Sequence, residues 1–316
     1  MGSLRSAPAR SKSIVITGAS SGLGRAAAIH LSKIGYRVFA GVRSEGSAGE
    51  LAALPPSLGE LIPVSLDVTD GTSIARAADF IDHECTNTGL WAVINNAGVC
   101  ISAPLECIPI DLVRTQLETN VVGALALLQH LLPLLRASGG RVVNVSSGIG
   151  NVAPAYLGAY AAAQFAKEAL SDALRRELRP LGVSVSIIQP GAIHTPLWGK
   201  IRESADQIMS AAPADLSVTY RAKFAAFLEM NEARGQASKT TPTDFADTVA
   251  VALAAKRPKV RYRVGLDSWG TVFARRMVPD RIMDAVIAAG LDALTAKNSQ
   301  QVPAHTALSR AGDHAR

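Results

Sequence analysis

The sequence predicts an α/β fold, a doubly wound parallel sheet with helices on both faces and a helical lid. Three observations carry that expectation. Short β-branched runs alternate with stretches of helical period from Ser13 to Ile188. Each run is apolar along its whole length, not at every second residue, which suits strands covered on both faces. The first run stops at a glycine-rich turn, Thr17-Gly18-Ala19-Ser20-Ser21-Gly22-Leu23-Gly24, where a strand would hand over to a helix. With 316 residues, 48% of them hydrophobic and 18% charged, a sizeable core is available, and no internal repeat divides the chain. One domain is expected over 13–296, after a flexible segment 1–12 and before a disordered tail 297–316.

Taken in order, Ser13–Thr17 reads as the first strand and Leu23–Ile34 as the helix after it. Arg37–Val42 is the second strand, followed by a loop carrying Pro55 and Pro56, and Leu61–Leu66 is the third. A helix from Thr72 to Cys85 leads to a fourth strand, Leu90–Asn95. Leu112–Leu135 reads as one long helix, apolar at 112, 113, 117, 121, 124, 127, 128, 131 and 135, with Asp111 as its cap. Arg141–Ser146 is the fifth strand, Tyr160–Leu178 a helix and Val183–Ile188 the sixth strand. From Pro196 to Thr241 no strand is evident, and a structureless loop of that length would be unusual, so a helical lid is expected there. Thr243–Lys256 resumes as a helix, and Val260–Val264 alternates as a last strand.

Composition excludes several classes. The formal charge is +6, but no run of five basic residues occurs and aromatics make up only 5%, so a solvated surface is expected and not a nucleic-acid interface. The most apolar run, Val121–Leu135, contains Gln129, His130 and Pro133 and is read as a buried helix, so no membrane span is expected. Met1–Lys12 has basic residues but no apolar stretch after them, unlike a secretory signal. Cys85, Cys100 and Cys107 show no metal-ligand spacing and, being odd in number, no disulfide framework. No metal site is expected, and a reducing cytoplasm is the expected compartment.

The glycine-rich turn lets backbone approach a pyrophosphate closely while the following helix offers free N–H groups to the anion. That turn, together with Asn95-Asn96-Ala97-Gly98 after the fourth strand, resembles the short-chain dehydrogenase/reductase superfamily. The resemblance runs from about Ser13 to Ile193 and more loosely through Arg261-Tyr262. The stretches Pro190–Pro196 and Lys256–Gly265 resemble the hydroxysteroid and retinol dehydrogenase subgroup. The resemblance implies a Rossmann-type fold and a nicotinamide dinucleotide held by Gly18, Ser20, Ser21, Gly22, Leu23, Gly24, Asp67, Val68, Asn95, Ala97, Gly98, Pro190, Gly191, Ile193 and Thr195. Asp67 would contact the adenine, with a helix-cap role as the alternative, and Thr195 would hold the nicotinamide amide. At the end of the second strand, where an acidic residue would accept from the adenosine ribose, the chain has Gly41-Val42-Arg43. Arg43 can fork onto a 2′-phosphate, so NADP(H) is expected in preference to NAD(H), unless Arg43 is an ordinary surface arginine.

Carbonyl reduction by hydride transfer needs a proton donor beside the oxygen. By resemblance Tyr160 is that donor, Ser147 the partner of the substrate oxygen and Asn120 the residue that holds a relay water; Ser146 is the alternative serine. The departure is Gln164. The family has a lysine four residues after its tyrosine, placed to hydrogen-bond the ribose and to favour tyrosinate. Gln164 supplies the hydrogen bonds of that position without the charge, and a missing cation can raise a tyrosine pKa by about one to three units, slowing a protonation-limited step roughly 10- to 1000-fold. Lys167 lies ~10 Å further along the helix axis and is not expected to substitute. A slow enzyme, a silent NADP(H)-binding sensor or scaffold, and a normal enzyme disabled at one position all fit.

The lid, 196–241, carries Leu197, Trp198, Ile201, Ile208, Met209, Tyr220, Phe224, Phe227, Leu228 and Met230, a set suited to a lipophilic alcohol or ketone. Most of these are expected to pack the lid onto the body, with Met209 and Met230 facing the ligand. His194 is read as a loop histidine. Relatives commonly pair through the two long helices, so the resemblance implies a homodimer or homotetramer.

Overall fold

The computed structural model describes residues 12–86 and 89–301. Residues 1–11 and 302–316 of the flexible ends expected from the sequence lie outside them. Seven strands form one sheet in the order β3-β2-β1-β4-β5-β6-β7, and every pairing is parallel. They are β1 (Ser13–Ile16), β2 (Arg37–Val42), β3 (Glu60–Ser65), β4 (Leu90–Asn95), β5 (Arg141–Val145), β6 (Ser184–Pro190) and β7 (Arg261–Val264). Helices α1 (Gly22–Lys33) and α9 (Pro242–Ala254) cover one face, where Ala27, Leu31, Phe245 and Val249 meet Ile14, Ile16 and Val38. On the other face α3 (Gly71–Cys85) and α5 (Gly123–Ser138) bring Ile74, Ile81, Leu127 and Leu131 against Val15, Phe39 and Val93. Successive residues of β1 thus enter opposite cores, which is why its sequence is apolar without alternation.

Two expectations for the long helix are corrected. It begins two residues earlier, as α4 (Ile110–Leu117), and a π-helical turn at Glu118–Val122 separates it from α5. Its N-cap is Pro109, not Asp111, which sits in the first turn and pairs with Arg114 at 2.7 Å. The whole helical run Ile110–Ser138 is long and apolar enough to cross a membrane. Here Leu127, Leu128, Leu131 and Leu135 are sealed against the sheet, so it covers the core.

Elements the sequence reading left out are α2 (Glu45–Ala52), α10 (Leu266–Met277) and α11 (Asp280–Gln301). The tail expected from residue 297 therefore starts inside a helix. The lid is a helical pair, α7 (Leu197–Ala211) and α8 (Ala214–Gln236), followed by a short link to α9. Ile201, Ile208, Phe224, Phe227 and Leu228 pack with Ile101, Ile108 and Leu157 in a core of their own beside α6 (Gly158–Leu178). Met209 only borders this core, and Met230 is exposed. Neither lines the cleft below, so the ligand-facing role expected of the two methionines is not what the structure shows.

Candidate active site

The strand order reverses between β1 and β4, and a cleft of about 570 Å³ opens there, at the carboxyl ends of the strands. Its floor is the glycine-rich turn. Gly18 and Gly22 have φ of 67° and 54°, the left-handed region that glycine enters without strain. A Cβ on Gly24 would collide with the Gly18 carbonyl, so only glycine lets α1 start this close to the strand end. Asn96 and Thr17 lock the turn to the loop after β4: Asn96 Nδ2 donates to Thr17 O at 2.9 Å, and the Ala97 N–H donates to Thr17 Oγ1 at 2.8 Å. The N-cap of α1, Ser21, makes no side-chain bond, and no acidic residue occupies the first turn. These free N–H groups and the glycine surface fit a pyrophosphate.

Every residue expected at the cofactor lines this cleft except Asn95. Asn95 is buried and donates from Nδ2 to Asn144 Oδ1 at 2.8 Å; its neighbour Asn96 takes the cleft side. Consecutive residues at a strand end point to opposite sides, and the motif alone did not say which asparagine faced inward. Thr195 stands across the turn, 3.5 Å from where a Gly22 Cβ would be. Arg43 is exposed at the rim with Asp67 beside it. Burial pushes the Asp67 carboxyl up, but two hydrogen bonds from Thr69 and the charge of Arg43 overcome this and hold it below its ordinary value. Asp67 does not cap α3; Asp70 does, accepting from Thr72 N at 2.9 Å.

At the inner end, Tyr160 and Gln164 rise one helical turn apart on α6, and Gln164 Nε2 donates to Tyr160 Oη at 2.8 Å. Ser147, just past β5, shares this wall, with its Oγ accepting from Ile149 N at 3.2 Å. Ser146 also lines the cleft, and its hydroxyl is buried without a partner. The Tyr160 phenol is pushed up to about 12, first by desolvation and then by Cys100, while the Ser147 hydroxyl and Gln164 amide pull the other way. Asn120 sits on the π turn, a device that re-aims a helical side chain. Its Oδ1 accepts from Val99 N at 2.9 Å and its Nδ2 donates to Val99 O at 3.0 Å, so half of its capacity is spent holding that loop. One amide N–H and one lone pair of Oδ1 remain for the expected relay water.

Ile101, Leu112, Leu157, Trp198 and Ile201 form an apolar wall of the same cleft, with Thr115, Lys200, Ser204 and Asn231 among its polar points. His194 is exposed and off the cleft. Sequence reasoning did not find Arg234, Asp267 and Thr271, which close the far side from α8 and α10, nor the cleft position of Lys167. The first three lie past the motifs, on helices whose register against the sheet no periodicity reveals.

Residues 12–206 match the family model described as short chain dehydrogenase. The chain is 40% identical to 3-amino-tetrahydro-pyrrolizinone reductase of Xenorhabdus hominickii over 81% of its length and 88% of that protein. It is 35% identical to 17-beta-hydroxysteroid dehydrogenase type 6 of Bos taurus, with 87% of each covered. Retinol dehydrogenase 5 of Mus musculus is 33% identical, with 90% of each covered. Among solved structures, a short-chain dehydrogenase from Streptomyces avermitilis superposes with a TM-score of 0.69 at 29% identity, covering 93% of this chain and 98% of that one. The chain belongs to the short-chain dehydrogenase/reductase family of oxidoreductases, in its hydroxysteroid and retinol dehydrogenase-like branch.

Proposed function

We propose that this oxidoreductase uses NADP(H) to interconvert a lipophilic secondary alcohol and ketone, or an alcohol and aldehyde, and that Gln164 limits its rate. One observation carries the reading: Tyr160, Ser147 and Gln164 stand where the glycine-floored cleft meets the apolar wall under the lid. The nicotinamide, when bound, supplies or accepts the hydride. In reduction the Tyr160 hydroxyl gives its proton to the new alkoxide while Ser147 donates to the same oxygen. A phenol pushed up to about 12 is a weak proton donor at neutral pH, which is how the missing cation at position 164 would slow the step. Arg43 at the rim supports the phosphorylated cofactor, and the apolar wall supports a lipophilic substrate.

The test is loss of reduced-nicotinamide absorbance with NADPH and a panel of lipophilic ketones, for the natural chain beside Gln164→Lys. The variant is expected to turn over about 10- to 1000-fold faster, with NADPH preferred over NADH in both proteins. Equal rates would show that Gln164 does not limit the chemistry. NADPH binding without turnover in either protein would favour a silent sensor or scaffold, the reading that Gln164 and the high phenol pKa also accommodate.

The same reading extends to assembly. Val122, on the π turn, and Phe165, on the outer side of α6, are 48% and 39% exposed on helices that otherwise cover the core. We propose that these surfaces pair two copies or four. Light scattering is expected to give a dimer or tetramer, and a monomer at micromolar concentration would contradict it.

A further inference from the structure

Lys167 is buried on α6, 4% exposed, and the chemistry above makes no use of it. Its Nζ donates to Val145 O at 3.2 Å, leaving two N–H bonds of the ammonium to be placed. It lines both the cleft and a small crevice between α5 and α6, whose other walls include Asn95 and Asn144. Gln164 comes three residues earlier on the same face of the helix and is as deeply buried, at 4%. Its Nε2 is committed to Tyr160, but its Oε1 is buried with no donor. Asn95 Oδ1 is buried without one as well. Two unplaced ammonium protons and two orphaned carbonyl oxygens therefore border the same helix face, in a protein interior where such groups are normally paired.

We propose that Lys167 is a positioning residue for Tyr160 and acts through Gln164, its ammonium donating to Gln164 Oε1 while Gln164 Nε2 donates to Tyr160 Oη. The inference rests on Tyr160 being the proton donor of the reading above. A cation on the amide oxygen draws electron density from the amide nitrogen and strengthens its N–H as a donor, so the phenolic oxygen sees part of a positive charge across one hydrogen-bonded link. No proton crosses the amide. The remaining ammonium N–H is placed on Asn95 Oδ1, which joins Lys167 to the chain Asn95–Asn144–Ser171. The lysine missing from position 164 is thus offset in part from one turn away, by relay and not by contact.

The charge on Lys167 depends on its surroundings. Desolvation lowers it to about 8. The titratable side chains near it are few. On α6 itself, Tyr160 lies two turns away, and the Glu168 carboxylate is taken by Gln189 and Arg261. The loop after β4 contributes the Cys100 thiol to the cleft; β4, β5, the π turn and α5 present only Asn95, Asn144, Val121, Ala124, Leu125 and Leu128 to the small crevice.

The test titrates Lys167 in the full-length protein without substrate, by NMR of carbon-labelled lysine side chains, with its signal assigned by its loss in Lys167→Met. The midpoint is expected near pH 8. Gln164→Met removes the acceptor and is expected to lower it by about one unit, and Gln164→Glu to raise it by at least as much. An unchanged midpoint in a natively folded Gln164→Met protein overturns the proposal; should that variant not fold, an unchanged midpoint in Gln164→Glu does so. The kinetic arm uses NADPH and the ketone panel. Lys167→Met is expected to lower kcat about tenfold and shift the pH profile, with KM for NADPH unaltered, while Lys167→Arg restores the profile. In a Gln164→Met background Lys167→Met is expected to add nothing. An equal cost in both backgrounds would mark a merely structural lysine and overturn the relay. If no ketone turns over, the proposed function has failed, and the titration still decides this inference.

Discussion

Tyr160, Ser147 and Gln164 were legible as residues because a helical turn and a strand end fix their spacing, and the structure brings all three to one wall. Lys167 was not. Its distance along the helix axis is set by the sequence, but where a four-carbon stem carries the ammonium depends on what fills the interior beside it. Holding that charge inside the protein has a measurable cost. Its pKa falls from 10.5 to about 8 on folding, so between those values the unfolded chain binds more protons and stability rises with pH. Below pH 8 both states are charged and the full penalty stands, roughly 3 kcal/mol. Lys167→Met is therefore expected to be more stable than the natural chain at pH 7 in urea unfolding, with the gap closing as pH approaches 10.5. A constant gap would mean that the lysine keeps its unfolded-state pKa in the fold. At the floor of the cleft, Gly24→Ala is expected to cost about 1–3 kcal/mol in the same assay and to weaken NADPH binding, because the added methyl meets the Gly18 carbonyl. Arg43→Ala is expected to raise the NADPH Kd at least about tenfold and leave NADH nearly unchanged, the difference being one lost pair with a phosphate. Equal effects on both cofactors would remove Arg43 from the specificity argument.

Among elements, five of the seven strands and the helices over the sheet could be read from runs of apolar residues sealed on two faces; of the two edge strands, β3 shows a half-buried apolar run and β7 the alternation of Tyr262 and Val264 with two arginines. The misses have physical causes. Helix α2 is short and holds two glycines, so Ser44 at its cap does more for it than propensity. Helix α10 buries only Ser268, whose Oγ donates to Gln189 O at 2.8 Å, so its apolar residues mark no core. The π turn at Asn120 adds a residue that hydrophobic period does not report. The edge strand depends on charge: Arg261 donates to Glu168 at 2.9 Å and to Asp172 at 3.0 Å, tying β7 to α6. Desolvation pushes Asp172 up, yet the Arg261 bond and charges overcome it and hold it below its ordinary value. A carboxylate lowered on folding stabilises above its unfolded pKa, and that contribution disappears as pH falls through the folded one. Arg261→Met is expected to cost about 2–3 kcal/mol at pH 7, since Glu168 is left buried without its cation, and less in acid as Asp172 protonates. Parallel stability curves for the two proteins from pH 7 down to acid would contradict that coupling.

Across the whole molecule, the lid and the C-terminal helices meet at one carboxylate. Asp267, at the start of α10, accepts from the Ala192 N–H at 2.7 Å and from Arg234 on α8 at 3.2 Å, while the Ser268 N–H donates back to it at 3.0 Å. Ala192 follows Gly191 on the cleft wall, and a Cβ on Gly191 would collide with Asp267, so loop, lid helix and α10 are packed to one point. Two more bonds fasten the lid nearby: Trp198 Nε1 donates to Ile193 O at 2.8 Å and Ser238 Oγ to Ala192 O at 2.5 Å. The carboxylate has enough lone pairs for all three donors, whereas an amide in its place presents one oxygen and a second donor that faces the Ala192 N–H or the guanidinium. Asp267→Asn is therefore expected to weaken NADPH binding about tenfold, the value of one charge-assisted bond, and to speed tryptic cleavage after Arg234. Arg234→Ala should do much less to NADPH binding, because the guanidinium is 54% exposed and such pairs contribute little in water. If the two variants weaken NADPH equally, the ion pair closes the lid; if only Asp267→Asn does, the carboxylate works by fixing the backbone of the loop that faces the cofactor.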